Sequence, residues 1–379
     1  MERTLNASEM KIRNRVRILK LIRQGGYSRA EISRLTGLTR AAVTVIIDDF
    51  IARGMIKEGE KNSSAVGRKS VGLRLDAAYG WMIGLNISRR AYTVGAVDFG
   101  GNILSECGRE ISAGDEPEKV LGDICMKTEG IMAQTSGRFL GIGITMPGPL
   151  DRERGVLLRV PNMEAWNRFP VKAYFENRFS CPVRLDNNSN AAAKAEEVYN
   201  KEVQGKSFLE LIVDSGLGSG VILHMDNRSV SFDCELGHTC VEASGERCDC
   251  GNVGCAEMYA SARAIVRYAQ SLDPSLSCWK QIADGYLAGD GACAQAVERE
   301  AYYLGRMLVN AVNCFEFEAV VFAGDIAYKF YEVMAKKLDD IIVNESIRKK
   351  RIKLLTSIIE CAAVLPAANL ISESDYFQP

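Results

Sequence analysis

The chain has 379 residues, which is enough for two or three domains with cores of their own. Its 47 Lys and Arg nearly balance its 48 Asp and Glu, a balance that by itself says little about partners. Its 12 cysteines are scattered, without a signal-peptide pattern or an apolar run of 18 residues. This excludes a disulfide framework and a membrane span, and it predicts a protein of the reducing cytoplasm.

Charge is unevenly distributed along the chain. Residues 1–75 carry 16 Lys and Arg against 7 Asp and Glu, which leaves 31 against 41 for the rest. A basic segment ahead of an acidic body suggests a nucleic-acid-binding module attached to a second domain. A solvated basic face would give the same count.

The first predicted elements are two helices. Apolar residues recur at helical spacing over residues 8–24, and Gly25 and Gly26 then stop the helix. Ser28 and Glu31 form a capping-box pattern, which predicts the start of a second, short helix with Ile32 and Leu35 facing inward. This helix is expected to break at 36–38, around a glycine.

A third helix is predicted to begin after Thr39, which serves as its N-cap. Its inward residues recur at positions i, i+3, i+4, i+7 and i+8, and they are Val43, Ile46, Ile47, Phe50 and Ile51. The helix, tight turn and helix are followed by two predicted strands around a basic loop at 57–69. The whole resembles a winged helix-turn-helix, although small trihelical domains also serve as protein-interaction modules.

In such a domain the second helix of the motif enters the major groove, and the wing reaches the backbone or the minor groove. The residues expected near base edges are Thr39, Arg40, Ala42 and Thr44, and those expected at the minor groove or backbone are Arg68 and Lys69.

From residue 79 onward, strands alternate with helices. Strands are predicted at 81–87, 92–98 and 139–145, with a helix at about 118–135 between them, and a similar run follows at 208–224. The repetition predicts a duplicated α/β domain with a cleft between its halves.

The stretch 235–257 holds a metal-ligand pattern. Cys248, Cys250 and Cys255 form a C-x-C-G-x-x-G-C arrangement, and His238, one of two histidines in the chain, lies ten residues earlier. One imidazole and three thiolates are a usual set for a closed, structural Zn²⁺ site. The alternatives are buried cysteines without a metal, or substitution of a ligand by the nearby Cys234 or Cys240.

Acidic residues bracket this stretch at Glu235 and Glu257. A histidine that gives one ring nitrogen to zinc can hydrogen-bond another group through the second nitrogen. A small polyhydroxylated molecule is therefore a candidate ligand.

These motifs resemble the ROK family of sugar kinases and sugar-responsive repressors. The resemblance rests on the segment from Glu235 to Glu257 and on 185–193, Leu-Asp-Asn-Asn-Ser-Asn-Ala-Ala-Ala, with weaker support from the Pro-Gly-Pro at 147–149. It implies an α/β fold class in which a winged helix-turn-helix at 1–78 precedes a two-lobed, actin-like (ribonuclease-H-like) sugar-kinase fold at 79–379.

The resemblance also implies a sugar-binding set, which comprises Asn162, Asn187, Asn188, Glu235, His238 and Glu257. Carboxylates and amides can bind adjacent sugar hydroxyls two at a time. Asn187 and Asn190 could instead cap the helix expected near residue 191, and Asn190 is the preferred candidate for that cap.

The kinase activity of the family is expected to be lost. The family's kinases use an aspartate as base where this chain has Asn188, and an amide cannot accept the proton. Their first phosphate loop corresponds to 86–90, Asn-Ile-Ser-Arg-Arg, which has no glycine, and the second begins with Asp214. Asp186 is an unsuitable replacement because two residues correspond to about 6–7 Å along a strand.

We therefore expect a cytoplasmic regulator, most simply a repressor of carbohydrate uptake or catabolism, that binds operator DNA as a homodimer or homotetramer. A monosaccharide in the cleft would close the two lobes and change operator affinity. The alternatives are an ATP-dependent sugar kinase, which could be bifunctional, and a DNA-binding protein whose body serves for oligomerisation alone.

Overall fold

The structure is a computed structural model that describes residues 7–61, 71–112, 115–158, 160, 163–225, 228–359 and 364–372. The chain forms two compact units. The first unit comprises Met1–Ala191 and Ala362–Pro379, and the second unit comprises Ala192–Cys361. The expected division into residues 1–78 and 79–379 stays a prediction.

The described residues form a mixed α/β structure with two five-stranded sheets. Its helices are α1 (Ala7–Gln24), α2 (Arg29–Thr36), α3 (Arg40–Ala52), α4 (Pro117–Gln134), α5 (Val171–Phe179), α6 (Asn188–Tyr199), α7 (Glu257–Ala260), α8 (Ala262–Leu272), α9 (Trp279–Leu287), α10 (Gly291–Cys314), α11 (Lys336–Glu345) and α12 (Val364–Ser372). Within the described ranges, no helix combines the length and the apolar character needed to cross a bilayer.

The strands are β1 (Ile56–Lys61), β2 (Val71–Leu75), β3 (Trp81–Ile87), β4 (Ala91–Asp98), β5 (Ile103–Glu110), β6 (Phe139–Met146), β7 (Leu150–Asp151), β8 (Val156–Leu157), β9 (Val183–Asn187), β10 (Phe208–Val213), β11 (Leu217–Met225), β12 (Arg228–Cys234), β13 (Ala319–Gly324) and β14 (Lys353–Thr356). The helices and strands predicted from the sequence are all present. The expectation that the loop of 57–69 begins at Lys57 was wrong, because β1 continues to Lys61 by pairing with β2.

Local caps set the ends of the N-terminal helices, as predicted. The Ser28 amide donates to the Glu31 carboxylate at 2.8 Å, and Ser28 Oγ accepts from the Glu31 amide, so the capping box is complete. Gly37 ends α2 with a left-handed backbone, φ 71°. Thr39 Oγ1 accepts from the Ala42 amide at 3.2 Å and caps α3. Each such cap stabilises its helix by about 1 kcal/mol.

Two of the expected inward residues face outward. Leu35 in α2 is 38% exposed, and Ile51 in α3 is 36% exposed. Both predictions were wrong because each residue lies at the edge of its helix's apolar stripe, whose centre is filled by other side chains. In α3 the centre of the stripe holds Val43, Ile47 and Phe50, which are fully buried.

The first sheet has the strand order β5-β4-β3-β6-β9. Strands β3, β6 and β9 run parallel, and β4 and β5 extend the sheet as an antiparallel meander. One face of this sheet packs against α4 and α5. The parallel strands therefore end together at one edge, where ligands bind in many α/β proteins.

The opposite face is covered by α12 at very short range. A Cβ on Gly84 of β3 would lie 2.0 Å from the carbonyl oxygen of Val364, and one on Gly143 of β6 would lie 1.8 Å from that of Ala367. No side chain fits there. The two glycines therefore allow the helix backbone to lie directly on the sheet.

The N-terminal helices share a core with this face. Side chains of α1 and α3 form one apolar cluster with Met82 and Phe99 of the first sheet region and with Ile371 of α12. Arg23 of α1 also donates to the side-chain oxygen of Asn369 in α12 at 2.6 Å. Helix α1 and helix α12 are thus parts of one packed structure inside the first unit.

The second sheet has the order β12-β11-β10-β13-β14. Alternate residues of β10 divide between its faces: Leu209 and Leu211 join the large core formed with α8 to α11, and Phe208 packs with Ala193 of α6. The period of two in β10 places Glu210 on the same face as Phe208.

Two buried acids lie on that α6 face. Glu196 accepts from the amides of Ile358 and Ile359 at 2.9 and 3.1 Å and from Asn200 Nδ2 at 2.7 Å. Burial, and then the nearby Glu196 charge, raise the pKa of Glu210 well above its ordinary value. Burial therefore favours the neutral form of Glu210, and Glu196 binds the backbone at Ile358 and Ile359.

Candidate functional site

His238, Cys248, Cys250 and Cys255 come together in the second unit, as the spacing predicted. Their ligand atoms all lie within 4.8 Å of one another. His238 Nδ1 is 3.6 Å from Cys248 Sγ, and Cys250 Sγ is 3.6 Å from Cys255 Sγ. Bonds of about 2.0–2.3 Å to a tetrahedral ion place ligand atoms roughly 3.6–3.8 Å apart. The spacing therefore fits Zn²⁺.

The loop geometry depends on one glycine in particular. Gly254 has φ 71°, and a Cβ there would lie 1.7 Å from the Glu242 carbonyl oxygen. Its amide donates to the Glu246 carbonyl, and Cys240 and Cys255 form an antiparallel bridge across the loop. This close approach folds the loop so that Cys255 faces the other ligands.

The thiols of Cys248 and Cys255 are buried. Burial raises the pKa of Cys255, and the adjacent Cys250 and Cys248 thiols add to the effect. Burial also raises the pKa of Cys248. Thiolates would require a cation here, as in a metal site. In the described part of the chain, neither Cys234 nor Cys240 belongs to the cluster, so the substitution considered from the sequence is not observed.

Three sugar-binding candidates belong to the segment that carries the cluster, and one of them, His238, is part of the cluster itself. Glu235 is exposed and immediately precedes the short 3₁₀ helix Leu236–His238. His238 directs Nδ1 toward Cys248, which leaves Nε2 on the other side of the ring. Glu257 begins α7, is 7% exposed and accepts from the Leu217 amide through Oε2 at 2.9 Å.

In the first unit, polar residues form a row at the carboxyl end of the parallel strands. Thr145 of β6 pairs in register with Asn86 of β3 on one side and with Asp186 of β9 on the other. Asn86 Nδ2 donates to Thr145 Oγ1 at 2.9 Å. Arg152 binds Asp186 Oδ1 through Nε and Nη2, both at 2.6 Å.

Asn187 and Asn188 follow directly on this row. Asn187 Oδ1 accepts from the amides of Ser189 and Asn190 at 2.8 and 3.4 Å, so Asn187 caps α6. The expectation that Asn190 is the cap was wrong, because α6 begins three residues earlier than the sequence suggested and Asn190 lies buried in its first turn. Asn188 Oδ1 is buried and meets no hydrogen-bond donor among the described residues.

Carboxylates occupy two amides of the glycine-rich loop after β10. The Ser215 amide donates to Asp214 Oδ1 at 2.7 Å, and the Leu217 amide donates to Glu257. Burial, and then the charge of Asp214, raise the pKa of Asp325, which follows β13 beside this loop. The loop therefore presents acids where an anion-binding loop would present amides.

The candidate DNA contacts lie on α3 and its cap. Thr39, Arg40 and Thr44 are exposed, and Ala42 is half-buried. Arg68 and Lys69, expected at the minor groove or backbone, and Asn162, expected at the sugar, lie outside the described residues.

Sequence reasoning missed the Arg152 and Asp186 ion pair and the role of Glu196. Arg152 lies 34 residues from Asp186, and no local pattern links them. Asp325 was also missed, although its position directly after the glycine that ends β13 was a usable signal.

Comparisons with known proteins agree with the motifs. The sequence model of the ROK family matches residues 82–373. The xylose repressor of Caldicellulosiruptor bescii is 28% identical over 98% of this chain and 99% of its own. A ROK family transcriptional regulator, described as a homolog of the E. coli MLC protein, superposes with a TM-score of 0.79 at 24% identity, over 96% of each chain.

A ROK family glucokinase from Streptomyces griseus, solved with glucose and AMPPNP, superposes with a TM-score of 0.67 at 25% identity. It covers 77% of this chain and 99% of its own. The body of the chain thus has the actin-like ROK kinase fold, and the glucokinase lacks a counterpart for about a quarter of the chain.

Proposed function

The chain belongs to the ROK family, and we propose that it is a sugar-responsive transcriptional repressor with a kinase-like body that does not catalyse phosphoryl transfer. The observation that carries the proposal is the coverage of the matches. The xylose repressor aligns with 98% of the chain and the glucokinase with 77%, and the family model begins at residue 82. The segment that distinguishes this chain from a kinase is therefore the one that carries α1 to α3.

We propose that this segment is a winged helix-turn-helix, with α3 as its recognition helix and β1 and β2 as its wing. The charge of residues 1–75 favours contact with phosphates. Thr39, Arg40, Ala42 and Thr44 are proposed to lie near base edges, and Arg68 and Lys69 are proposed to bind the minor groove or backbone. Paired half-sites would require at least a dimer.

We propose that a monosaccharide is the effector. In the second unit, Glu235 and Glu257 would offer acceptors and His238 would offer a ring nitrogen. In the first unit, Asn187 and Asn188 would offer amides, and Asn162 remains a candidate. Xylose is the first neutral sugar to test, because two relatives that align with 98% and 83% of the chain are named xylose repressors.

Zn²⁺ is proposed to have a structural role. His238 and the three cysteines would supply all four ligands, which leaves no position for a catalytic water. The bound ion would fix the loop that carries His238 and Glu257, so its effect on sugar binding would be indirect.

The geometry disfavours the alternative of an ATP-dependent sugar kinase. At the expected base position, Asn188 has an amide, and Asp186 is held by Arg152. In the glycine-rich loop, the carboxylates of Asp214 and Glu257 occupy the amides of Ser215 and Leu217. These acids would repel nucleotide phosphates.

The proposal is tested by selecting duplex DNA from a random pool with the zinc-loaded full chain. Affinity for the selected duplex is then measured by fluorescence anisotropy. We expect Arg40→Ala to weaken specific binding by about 1–3 kcal/mol. Lys280→Ala, at an exposed site of the second unit, serves as the matched control and should leave binding unchanged. Failure to enrich any duplex, or steady ADP production with a sugar, would contradict the proposal.

A further inference from the structure

Arg89, at the ligand edge of the first sheet, is a cation with no counter-ion in the part of the chain that the structure describes. It lies in the turn that follows β3, three residues after Asn86. Its side chain is half-buried, and its Nε is fully buried with no acceptor within hydrogen-bonding distance among the described residues. Its neighbour Arg90 is exposed.

A buried guanidinium nitrogen without an acceptor is unfavourable, because its hydration is lost and nothing replaces it. No other arginine nitrogen in the described ranges is buried without an acceptor. Arg152, at the same end of the sheet, places two nitrogens on the buried Asp186 carboxylate. Arg89 thus has the environment of a residue whose partner is an anion from outside the chain.

The polar groups of the turn at Ser88 bind one another and not the Arg89 side chain. Ser88 Oγ accepts from the amides of Arg90 and Ala91 at 3.3 and 3.0 Å, and it donates to the Ala91 carbonyl. Asn86 is bound to Thr145. The amides of Ser88, Arg90 and Ala91 are therefore already used, and the guanidinium of Arg89 remains available for an anion.

A second unpartnered group lies at the same end of the sheet. Asn188 follows β9, which is two strands from β3, and its Oδ1 is buried without a donor among the described residues. Two strand spacings are about 10 Å, so one small molecule can reach from the end of β3 to the end of β9. Such a molecule would carry a hydroxyl donor for Asn188 and an anionic group for Arg89.

We propose that the effector is an anionic monosaccharide, whose phosphate or carboxylate is bound by Arg89 and one of whose hydroxyls donates to Asn188. A planar guanidinium binds both kinds of anion through two parallel hydrogen bonds. This inference rests on the proposed function and specifies the chemical class of its ligand.

The test is calorimetric titration of the zinc-loaded full chain with matched pairs of sugars. Xylose, glucose and N-acetylglucosamine are each compared with their terminal phosphates, and glucose is also compared with glucuronate and gluconate. Inorganic phosphate and ATP are titrated separately. We expect one phosphorylated or acidic sugar to bind more tightly than its neutral parent, and the phosphate and carboxylate arms identify the source of the anion.

Two variants locate the charge. Arg89→Gln should weaken binding of the anionic sugar roughly 10- to 100-fold and change the affinity of the neutral parent less than about twofold. Arg90→Gln, its exposed neighbour, should change neither. Without ligand, Arg89→Gln should unfold at the same temperature as the wild type or higher, because it removes an unpaired buried cation.

Several results would overturn the proposal. One is that a neutral sugar and its anionic derivative bind with equal affinity. Another is that Arg89→Gln loses affinity for the neutral sugar and for the anionic sugar together. A third is that ATP alone binds in a way that depends on Arg89. A neutral sugar that changes operator affinity without any contribution from Arg89 would refute this inference and leave the repressor function standing. If no sugar binds, the proposed function fails with it.

Discussion

The close packing of α12 on the first sheet predicts a large effect from one methyl group. In Gly143→Ala the new Cβ would lie 1.8 Å from the Ala367 carbonyl oxygen, whereas ordinary contact begins at 3.4 Å. The helix backbone must therefore move by about 1.6 Å, since no flexible side chain can yield. Overpacking of this kind costs about 1–3 kcal/mol, and we expect a loss of unfolding free energy at or above the upper end.

The displacement should also reach the N-terminal helices. Helix α12 shares its core with α1 and α3, and Asn369 accepts from Arg23. Moving α12 would open that core and break this hydrogen bond. We therefore expect faster amide exchange in both α12 and α1 of Gly143→Ala, together with weaker DNA binding.

The assay combines urea unfolding with amide hydrogen exchange followed by mass spectrometry. Gly130→Ala is the control, because Gly130 lies in α4 with no atom near a new Cβ, and that change should stabilise the protein by about 0.5–1 kcal/mol. Gly84→Ala combined with Gly143→Ala should cost less than the sum of the two, since one shift of α12 relieves both clashes. If Gly143→Ala unfolds within about 0.5 kcal/mol of the wild type with unchanged exchange in α12, the packing argument is refuted.

Three further predictions concern single sites. Metal analysis should find one Zn²⁺ per chain, lost in Cys255→Ser and retained in Cys240→Ser, whose thiol lies outside the cluster; equal retention in both would contradict the ligand set. Hydrogen bonds from Ser28 lower the pKa of the Glu31 carboxyl, so the stabilisation that this carboxylate gives to the fold is present above pH 4.5 and is lost as the pH falls through the lowered pKa. Glu31→Gln should therefore flatten the acid dependence of the unfolding free energy measured in urea. An unchanged slope would count against this role of Glu31. Burial raises the pKa of Glu210, so the unfolding free energy of the wild type should fall as the pH rises above 4.5. The unfolding free energy of Glu210→Gln relative to the wild type should therefore grow from pH 5 to pH 8. A difference that does not vary with pH would mean that this carboxyl is ionised throughout.

The local features of this fold could be predicted from the sequence because they involve residues that lie close together in the chain. The Ser28 capping box, the Gly37 helix end and the cysteine cluster all belong to this class. The limits of apolar stripes could not be predicted in the same way. The exposure of Leu35 and Ile51 is set by which neighbouring elements pack on each helix, and periodicity does not specify those neighbours.

The polar groups at the ligand edge show the same limit. The sequence predicted that asparagines would lie near the start of α6, but it favoured Asn190 as the cap, where the structure has Asn187. The choice depends on where β9 ends, which is fixed by its register with β6. The sequence showed that the loop at 86–90 has no glycine, whereas the lack of an acceptor for Arg89 Nε among the described residues depends on the fold and could not be predicted.

The central claim is that sugar binding and DNA binding are coupled, and it is tested most directly by measuring sugar affinity with and without saturating operator DNA. Linkage requires that the factor by which DNA changes sugar affinity equal the factor by which sugar changes DNA affinity. We predict equal factors, in the range of about 5 to 150, and their loss in Glu235→Gln. A sugar that binds with the same affinity in the presence and absence of the operator would contradict the account.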